Sequence, residues 1–353
     1  MRAAYLQAPF RVEYRELPEP HPGHGEVLLR PLLVGICGTD LQHARRLART
    51  WERFGHEATA EVLDVGPGVL DLGPGDLVAC QGSSGCGFCA GCMTGRPDQC
   101  ENRHLARFLG YFAERAAVDR RNLWKLDGLS SRAGILLEPL GISMDLVRLA
   151  EVTLGSMVVV VGPGPIGMMA VRLAKLRGAR RVIVVGVAPD VPRFPLCHRL
   201  GADHCIDAGS GDPVDAVLDL TNGRGAHAVI DTATIASVPD ALRMCAFGGR
   251  VAFAGESSAL AEEARPAADG PGAGCVPIDV NWLHLNRLEL RGSYAVPNSS
   301  LPLGQALLCD GLLPVDEIVS HVFPFAALRD ALVYVDERRG NVVKAAVDVT
   351  TWE

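Results

Sequence analysis

Four cysteines, Cys86, Cys89, Cys92 and Cys100, stand in the pattern C-x2-C-x2-C-x7-C. Thiolates this closely spaced can converge on one tetrahedral zinc, and a closed four-sulfur shell leaves no position for a substrate. Such a site is structural: it staples a lobe with little core of its own. Disulfides or unrelated thiols are the alternative, and the spacing argues against them. A second donor set lies upstream. Cys37 stands in GICGTD after the apolar run LLVG, and His56 and Glu57 stand in FGHEATAEV at the edge of a strand-like segment. A thiolate, an imidazole and a carboxylate form a mixed set of the kind used by catalytic zinc, which keeps one position open. Adjacent His56 and Glu57 cannot point the same way from a strand, so one would ligate directly and the other act from beside it. Glu138, in LLEPLG, is the candidate fourth ligand. Taken singly, His56 also reads as a satisfied core residue and Glu138 as an ordinary acid at a helix start.

The third constellation is VVVVGPGPIGMMAVRLA, where Gly162, Gly164 and Gly167 form G-x-G-x-x-G. The first glycine allows a tight turn, the second lets a pyrophosphate approach the backbone, and the third lets helix and strand pack closely. Pro165 and Ile166 open the helix, whose first N–H groups face the phosphates. The glycine pattern is weak alone and strong between a strand and a helix. The acid that binds the adenosine ribose should end the next strand, RVIVVG, but that position is Gly186. Asp190 stands slightly further along, and Arg193 follows. Asp190 as the ribose partner points to NAD; Arg193 and the missing acid point to NADP; both also read as solvated loop charges. Of the two nucleotides, NAD is the one favoured.

These groups need elements to position them. Before about Ala133 the chain consists of short apolar runs divided by turn signals, such as EVLDVGPGVLDLGPGDLVAC, which read as β-structure. Beyond Glu151, apolar strands alternate with helical stretches. Met157–Val161 reads as a strand and Ile166–Arg177 as a helix; Arg181–Val185 is the next strand, and Phe194–Leu200 another helix. Ala228–Asp231 and Arg250–Ala254 read as further buried strands. This alternation predicts βαβ units and a parallel sheet, hence an α/β fold. The stretch from Glu256 to Gly274 is rich in Ala, Gly and Pro without a period, and reads as a mobile insertion. The expected organisation is residues 1–140 as a β-rich domain with the cysteine lobe at 80–101, residues 141–285 as a doubly wound nucleotide-binding domain, and residues 286–353 returning to the first domain.

The 353 residues suit two domains, and a net charge of −7 gives no reason to expect nucleic acid or an anionic membrane as partner. The N-terminus lacks the pattern of a signal peptide, and the longest apolar stretch is too short to span a bilayer. Cysteines outside the lobe form no framework, which suits a reducing cytoplasm. Lysine is confined to Lys125, Lys175 and Lys344, against abundant arginine, a bias attributed to a GC-rich genome. Arg45, Arg46, Arg49 and Arg53 lie between Cys37 and His56. They read as a solvated helix face or as a site for an anionic substrate. Trp51 and Phe54 read as pocket wall or as core.

CGTD at Cys37, GHE at Gly55, the four-cysteine lobe, LEPLG at Leu137 and the glycine turn at Gly162 together resemble a zinc-dependent medium-chain dehydrogenase. This is the superfamily of alcohol, sorbitol and threonine dehydrogenases, and the match runs nearly end to end. The resemblance implies a GroES-like catalytic domain built from both chain ends, a Rossmann domain between, and an active site in the cleft. It implies a homodimer or homotetramer. By this analogy Cys37, His56, Glu57 and Glu138 surround the catalytic zinc, and Glu138-Pro139 is similar to the polyol and threonine branch. Thr39 matches the hydroxyl that first takes the alcohol proton. The family's relay histidine falls at Gln42, while His43 follows one residue later, so either a local kink re-aims His43 or the proton leaves through ribose and water. Thr232, Ala254 and Gly255 correspond to positions that contact the nicotinamide. The expected activity is reversible hydride transfer between NAD(P) and a secondary alcohol of a polyol, sugar, cyclitol or amino alcohol. Reduction of a ketone or imine in secondary metabolism is the alternative enzyme reading. A catalytically silent nucleotide-binding homologue is the non-enzymatic one.

Overall fold

The computed structural model describes residues 1–255, 275–294, 296 and 298–352. The stretch from Glu256 to Gly274, expected as an insertion, lies outside the described residues. Turn-divided apolar runs become strands in the N-terminal part. β1 (Arg2–Gln7) and β2 (Arg11–Glu16) form an antiparallel hairpin; β3 (Glu26–Gly35), β4 (Glu57–Val65), β5 (Leu77–Cys80), β6 (Ala116–Asp119) and β7 (Leu123–Lys125) follow. β3 pairs antiparallel with β4 from Val27↔Val65 to Gly35↔Glu57, with a register shift between Pro31 and Leu33. Pro31 has no N–H to give the ladder, which accounts for an irregularity there. A short helix α1 (Gly38–Gln42) leaves β3 directly and runs into a π-turn, His43–Leu47. The helix α2 (Leu137–Leu149) carries the LEPLG motif in its first turn.

In the central part each apolar run is a strand covered on both faces, which removes the need for alternation. All five residues of β8 (Met157–Val161) are buried. After it come α3 (Pro165–Leu176), β9 (Arg181–Gly186), α4 (Phe194–Leu200) and β10 (His204–Asp207). α4 stops at Gly201, whose φ of +116° supplies the left-handed residue that ends many helices. β11 (Ala226–Asp231), β12 (Cys245–Phe253) and β13 (Glu289–Gly292) complete the sheet. The strand order is β10-β9-β8-β11-β12-β13, and every pair is parallel. This is the doubly wound order in which the first strand lies beside the fourth, and the reversal between β8 and β11 is where nucleotides bind such sheets. β12 begins at Cys245 rather than Arg250 because its pairing with β11 continues, with a shifted register, to Ala226↔Cys245.

β14 (Val319–Pro324) and β15 (Lys344–Asp348) return to the first sheet, whose order is β14-β15-β3-β4-β5-β7 with β6 also on β3. The chain thus divides into one unit of Met1–Gly141 with Ala295–Glu353 and another of Ile142–Tyr294. Leu29, Val34, Val62, Phe112 and Phe325 are among the residues packed in the core of the first unit, and Val159, Ile183, Val229 and Val251 in that of the second. Each such side chain contributes roughly 1.5–3 kcal/mol on burial. The described residues contain no helix long and apolar enough to cross a membrane.

Candidate active site

In the first unit the ends of three adjacent strands converge. β3 ends at Gly35, and Cys37 follows as the N-cap of α1 in extended conformation, φ −93° and ψ 160°. Asp40, three residues on, closes the cap by accepting from the Cys37 N–H at 2.9 Å, and its other oxygen lies 3.8 Å from His56 Nδ1. Gly55, at φ +88°, turns the chain so that His56 and Glu57 open β4; a side chain there would strike the Phe112 ring. The result brings the donor atoms of Cys37, His56 and Glu57 within 4.8 Å of one another. Donors around a tetrahedral zinc stand about 3.8 Å apart for Zn–S bonds of about 2.3 Å, so the set fits a zinc ion after small adjustments.

The charges around this set call for a cation. Burial, then the nearby Glu57, pushes the Cys37 thiol up. Burial pushes Glu138 up to about 7, helped by Glu57. Burial alone would lower His56, but the Cys37 sulfur, Asp40 and Glu138 together outweigh it and hold the imidazole well above its ordinary value. Four acidic groups thus share one buried region with His56 and a single lysine, Lys344, which is ion-paired with Glu57. Glu138, in the first turn of α2, belongs to this field but lies outside the three-donor cluster; it lines a small cavity with Cys80, Gln81 and Trp124. Asp40 and Lys344 were not singled out in the sequence. The signal for Asp40 was its place three residues after Cys37, where a capping acid stands. For Lys344 it was a charge inside the apolar strand VVKAAV.

Thr39 Oγ1 lies 3.9 Å from Cys37 Sγ. His43 opens the π-turn that follows α1, and its Nδ1 is hydrogen-bonded to Glu52. Of the arginines between Cys37 and His56, Arg45 pairs with Asp336, and Arg53 donates to the Gly110 carbonyl at 2.6 Å and lies over Phe108. Phe54 is core, packed on Phe112 with ring centroids 4.6 Å apart; Trp51 lies beneath Arg11 and Arg15 of the hairpin.

Cys86, Cys89, Cys92 and Cys100 also meet, with sulfurs within 4.8 Å of one another. Backbone N–H groups already serve these sulfurs: Cys86 donates to Cys100 Sγ at 3.2 Å, Cys89 to Cys86 Sγ at 3.4 Å, and Asn102 to Cys100 Sγ at 3.3 Å. Against the burial that would raise it, N–H groups at Phe88 and Cys89 draw the Cys86 thiol down to about 6. Four sulfurs with donors in place fit a closed structural zinc site.

In the second unit each glycine of the turn after β8 has its own reason. Gly162 takes φ +88° against Ala233; Gly164 has nothing within 4 Å of where a Cβ would stand; a Cβ on Gly167 would come 2.0 Å from the Gly162 carbonyl. Pro165 and Ile166 form the first turn of α3. Thr232 fastens this turn, its hydroxyl donating to the Gly162 carbonyl at 2.7 Å. Ala254 donates its N–H to Asp231 O at 3.0 Å, and a side chain on Gly255 would strike the Thr234 backbone. At the end of β9 a Cβ on Gly186 would meet the side chains of Asp190, Pro163 and Phe194 at 3.0–3.1 Å, so a larger residue would need these neighbours to shift. Asp190 is buried; it accepts from the Val187 N–H at 3.2 Å and pairs with Arg193 at 3.2 Å.

A doubly wound nucleotide unit joined to a β-rich unit with one open and one closed metal-donor set defines a metal-using nicotinamide oxidoreductase. Comparison with known proteins places it further. The model for the alcohol dehydrogenase GroES-like domain matches residues 23–128, and that for zinc-binding dehydrogenases residues 165–302. An L-threonine 3-dehydrogenase from Thermococcus kodakarensis is 34% identical over 256 residues, 70% of this chain and 72% of its own. Alignments with the L-threonine 3-dehydrogenases of three Pyrococcus species span 66% of those chains. The sorbitol dehydrogenase of Bacillus subtilis is 26% identical over 98% of this chain and 97% of its own. Among solved structures, an alcohol dehydrogenase from Thermus sp. ATN1 matches with a TM-score of 0.84 at 28% identity, covering 99% of each chain. The chain belongs to the zinc-binding dehydrogenases of the alcohol dehydrogenase superfamily, homologous to threonine and sorbitol dehydrogenases. It is an oxidoreductase that moves hydride between a CH–OH carbon and NAD(P).

Proposed function

We propose that this dehydrogenase oxidises, reversibly, a secondary hydroxyl of a small polyol, sugar, cyclitol or amino alcohol, with NAD as the preferred nucleotide. The observation that carries the reading is the convergence of Cys37, His56 and Glu57 at the ends of β3 and β4. The names of the relatives, threonine and sorbitol dehydrogenases, support an amino alcohol or polyol as substrate. In this reading Cys37, His56 and Glu57, with Glu138 nearby, hold the catalytic zinc, and the four lobe cysteines hold the structural one. A catalytic zinc supplies Lewis acidity that makes a substrate hydroxyl acidic near neutral pH.

The chain's own residues do the rest. Thr39, beside Cys37, accepts the hydroxyl proton on Oγ1 and passes its own onward. His43 is the next acceptor: Glu52 holds Nδ1, which leaves Nε2 as the exchangeable position. Gly162, Gly164 and Gly167 with Pro165 and Ile166 seat the pyrophosphate, and Thr232, Ala254 and Gly255 border the nicotinamide. Arg193 is held by Asp190 and is not free to meet a 2′-phosphate, which supports NAD. We further propose a cytoplasmic homodimer or homotetramer.

The test is nicotinamide absorbance on mixing zinc-loaded protein with NAD or NADP and a panel of polyols, cyclitols and amino alcohols. Turnover on one class is expected, with Cys37→Ser lowering it more than about a hundredfold while nucleotide binding persists. No turnover from either the alcohol or the ketone side, with zinc bound, would refute the reading.

A further inference from the structure

Cys197 and Cys205 belong to neither metal-donor set, yet their thiols meet. Ile183, Val185 and Ile206 pack in one core cluster on one face of the parallel sheet. Cys205 of β10 stands beside Val184 of β9, so strand alternation turns both to the opposite face. α4 packs on β10, and its buried Cys197 lies outside that cluster too. Between the two cysteines the chain turns tightly: Gly201 takes φ +116°, and Ala202 donates its N–H to the Cys197 carbonyl at 2.9 Å. The strand thus returns beside the helix it has just left, and the Cys197 S–H donates to the Cys205 sulfur.

The two sulfurs are not equivalent. Cys205 is partly exposed and Cys197 is buried. Their hydrogen bond favours the Cys205 thiolate and outweighs burial, holding that thiol below its ordinary value; the same bond, helped by burial, pushes Cys197 up. An accessible sulfur that favours the thiolate, beside a buried thiol, is the arrangement of an attacking and a resolving cysteine. We propose that Cys205 and Cys197 are a peroxide-responsive dithiol whose reversible disulfide weakens nucleotide binding. The Cys205 thiolate attacks one peroxide oxygen, the O–O bond breaks, and the leaving hydroxide takes a proton to become water, which leaves a sulfenic acid on Cys205. The Cys197 sulfur then attacks the Cys205 sulfur, the S–O bond breaks, and the Cys197 proton departs with the hydroxide as a second water. Two thiols are oxidised to one disulfide, and one peroxide is reduced to two waters.

The link to nucleotide lies at the end of β9. α4 begins at Phe194, directly after the turn that holds Asp190 and Arg193, and the Phe194 ring stands 3.1 Å from where a Cβ on Gly186 would be. From the other side Asp207, two residues after Cys205, pairs with Gly186. A covalent bond is shorter than the contact it replaces, so closing it draws α4 toward β10 and shifts both neighbours of Gly186. In doubly wound sheets that position borders the ribose. The dithiol stands on the two sulfurs alone; its effect on nucleotide rests on reading this turn as the ribose end.

The test treats the full-length, zinc-loaded protein with hydrogen peroxide, blocks free thiols, and maps tryptic peptides. Binding of NADH and NADPH is titrated by fluorescence; turnover is not the readout, because peroxide also reaches the Cys37 set. Peptides 194–199 and 200–224 should appear joined. The Kd of the tighter nucleotide should rise about fivefold or more and return on reduction with dithiothreitol. Cys205→Ser should show neither the joined peptides nor the change in Kd. Cys197→Ala, which removes the resolving thiol, should stop at a Cys205 sulfenic acid that dimedone traps. Peptides that stay separate while the exposed Cys309 is oxidised would overturn the dithiol. Joined peptides with an unchanged Kd would overturn its effect on the nucleotide site. Reduced protein that binds neither nucleotide would instead refute the reading of the turn.

Discussion

In the reading proposed for the nucleotide, the choice turns on Asp190 and its pair with Arg193. Where a ribose-binding acid is expected stands Gly186, with Asp190, Pro163 and Phe194 crowding the space beside it. Asp190 in turn accepts from the Val187 N–H and pairs with the Arg193 guanidinium. While that pair holds, the turn after β9 carries no free positive charge. Asp190→Ser keeps a small hydrogen-bonding group for the turn and removes the carboxylate that pairs with Arg193. A charge-assisted hydrogen bond to a 2′-phosphate contributes about 1.5–3 kcal/mol, or roughly tenfold to a hundredfold in affinity. The ratio of kcat/KM for NADP to that for NAD should therefore rise by at least about tenfold, measured with one alcohol at fixed pH; an unchanged ratio would count against the role given to Arg193. At this scale the cysteine, histidine and glycine motifs were legible because their chemistry depends on short spacings. Lys344 was not, although it is one of three lysines. It meets Glu57 across 287 residues of sequence, and only the pairing of β15 and β4 with β3 brings them together.

Among elements, the strands and helices of the second unit could be read closely, since β8, β9 and α3 are set by local apolar runs and a glycine turn. The start of β12 could not, because its first residues are strand only through pairing with β11. Nor could the π-turn at His43–Leu47, which depends on how that segment packs against the hairpin: Phe10 donates to the Ala44 carbonyl and Ala8 to that of Ala48. The end of β11 carries a consequence for pH. Asp231 is 0% exposed, and burial pushes it up to about 6, against the Ala233 N–H and the Ser237 hydroxyl that favour its charged form. A rise from 3.8 to about 6 corresponds to about 3 kcal/mol. Between those values the folded chain binds the proton that the unfolded chain has lost, so this group makes stability fall as pH rises; above about 6 the penalty is full and level. Asp231→Asn removes the charge and keeps one acceptor for Ala233. It should flatten the loss between pH 4 and 6 and leave the protein about 1–2 kcal/mol more stable at pH 8, after allowing for a weakened hydrogen bond to Ser237. Urea unfolding at the two extremes would show it, and an identical pH slope in the variant would refute the assignment.

For the whole molecule, the separation of ligands between units matters most. Both metal-donor sets lie in Met1–Gly141 with its C-terminal return, while the glycine turn, Thr232 and the Asp190 pair lie in Ile142–Tyr294. A ligand stabilises only what it binds, by RT ln(1 + [L]/Kd), or about 2.7 kcal/mol at a hundredfold excess over Kd. In the metal-loaded protein, nucleotide should slow amide exchange about a hundredfold in β8, β9, β11 and the turn after β8 wherever exchange requires opening of that unit. Removing metal with a chelator should instead speed exchange in residues 86–102, around Cys37 and His56, and in β15 through Lys344, whose partner Glu57 sits at the metal set. The two footprints need not overlap, because no donor of either set and no glycine of the turn is shared. If nucleotide protects β15 and the cysteine lobe as strongly as β8, the units open together and their ligands are thermodynamically linked. If the footprints stay apart, each unit is its own cooperative block, and the activity of the enzyme can be lost from either one while the other stays folded.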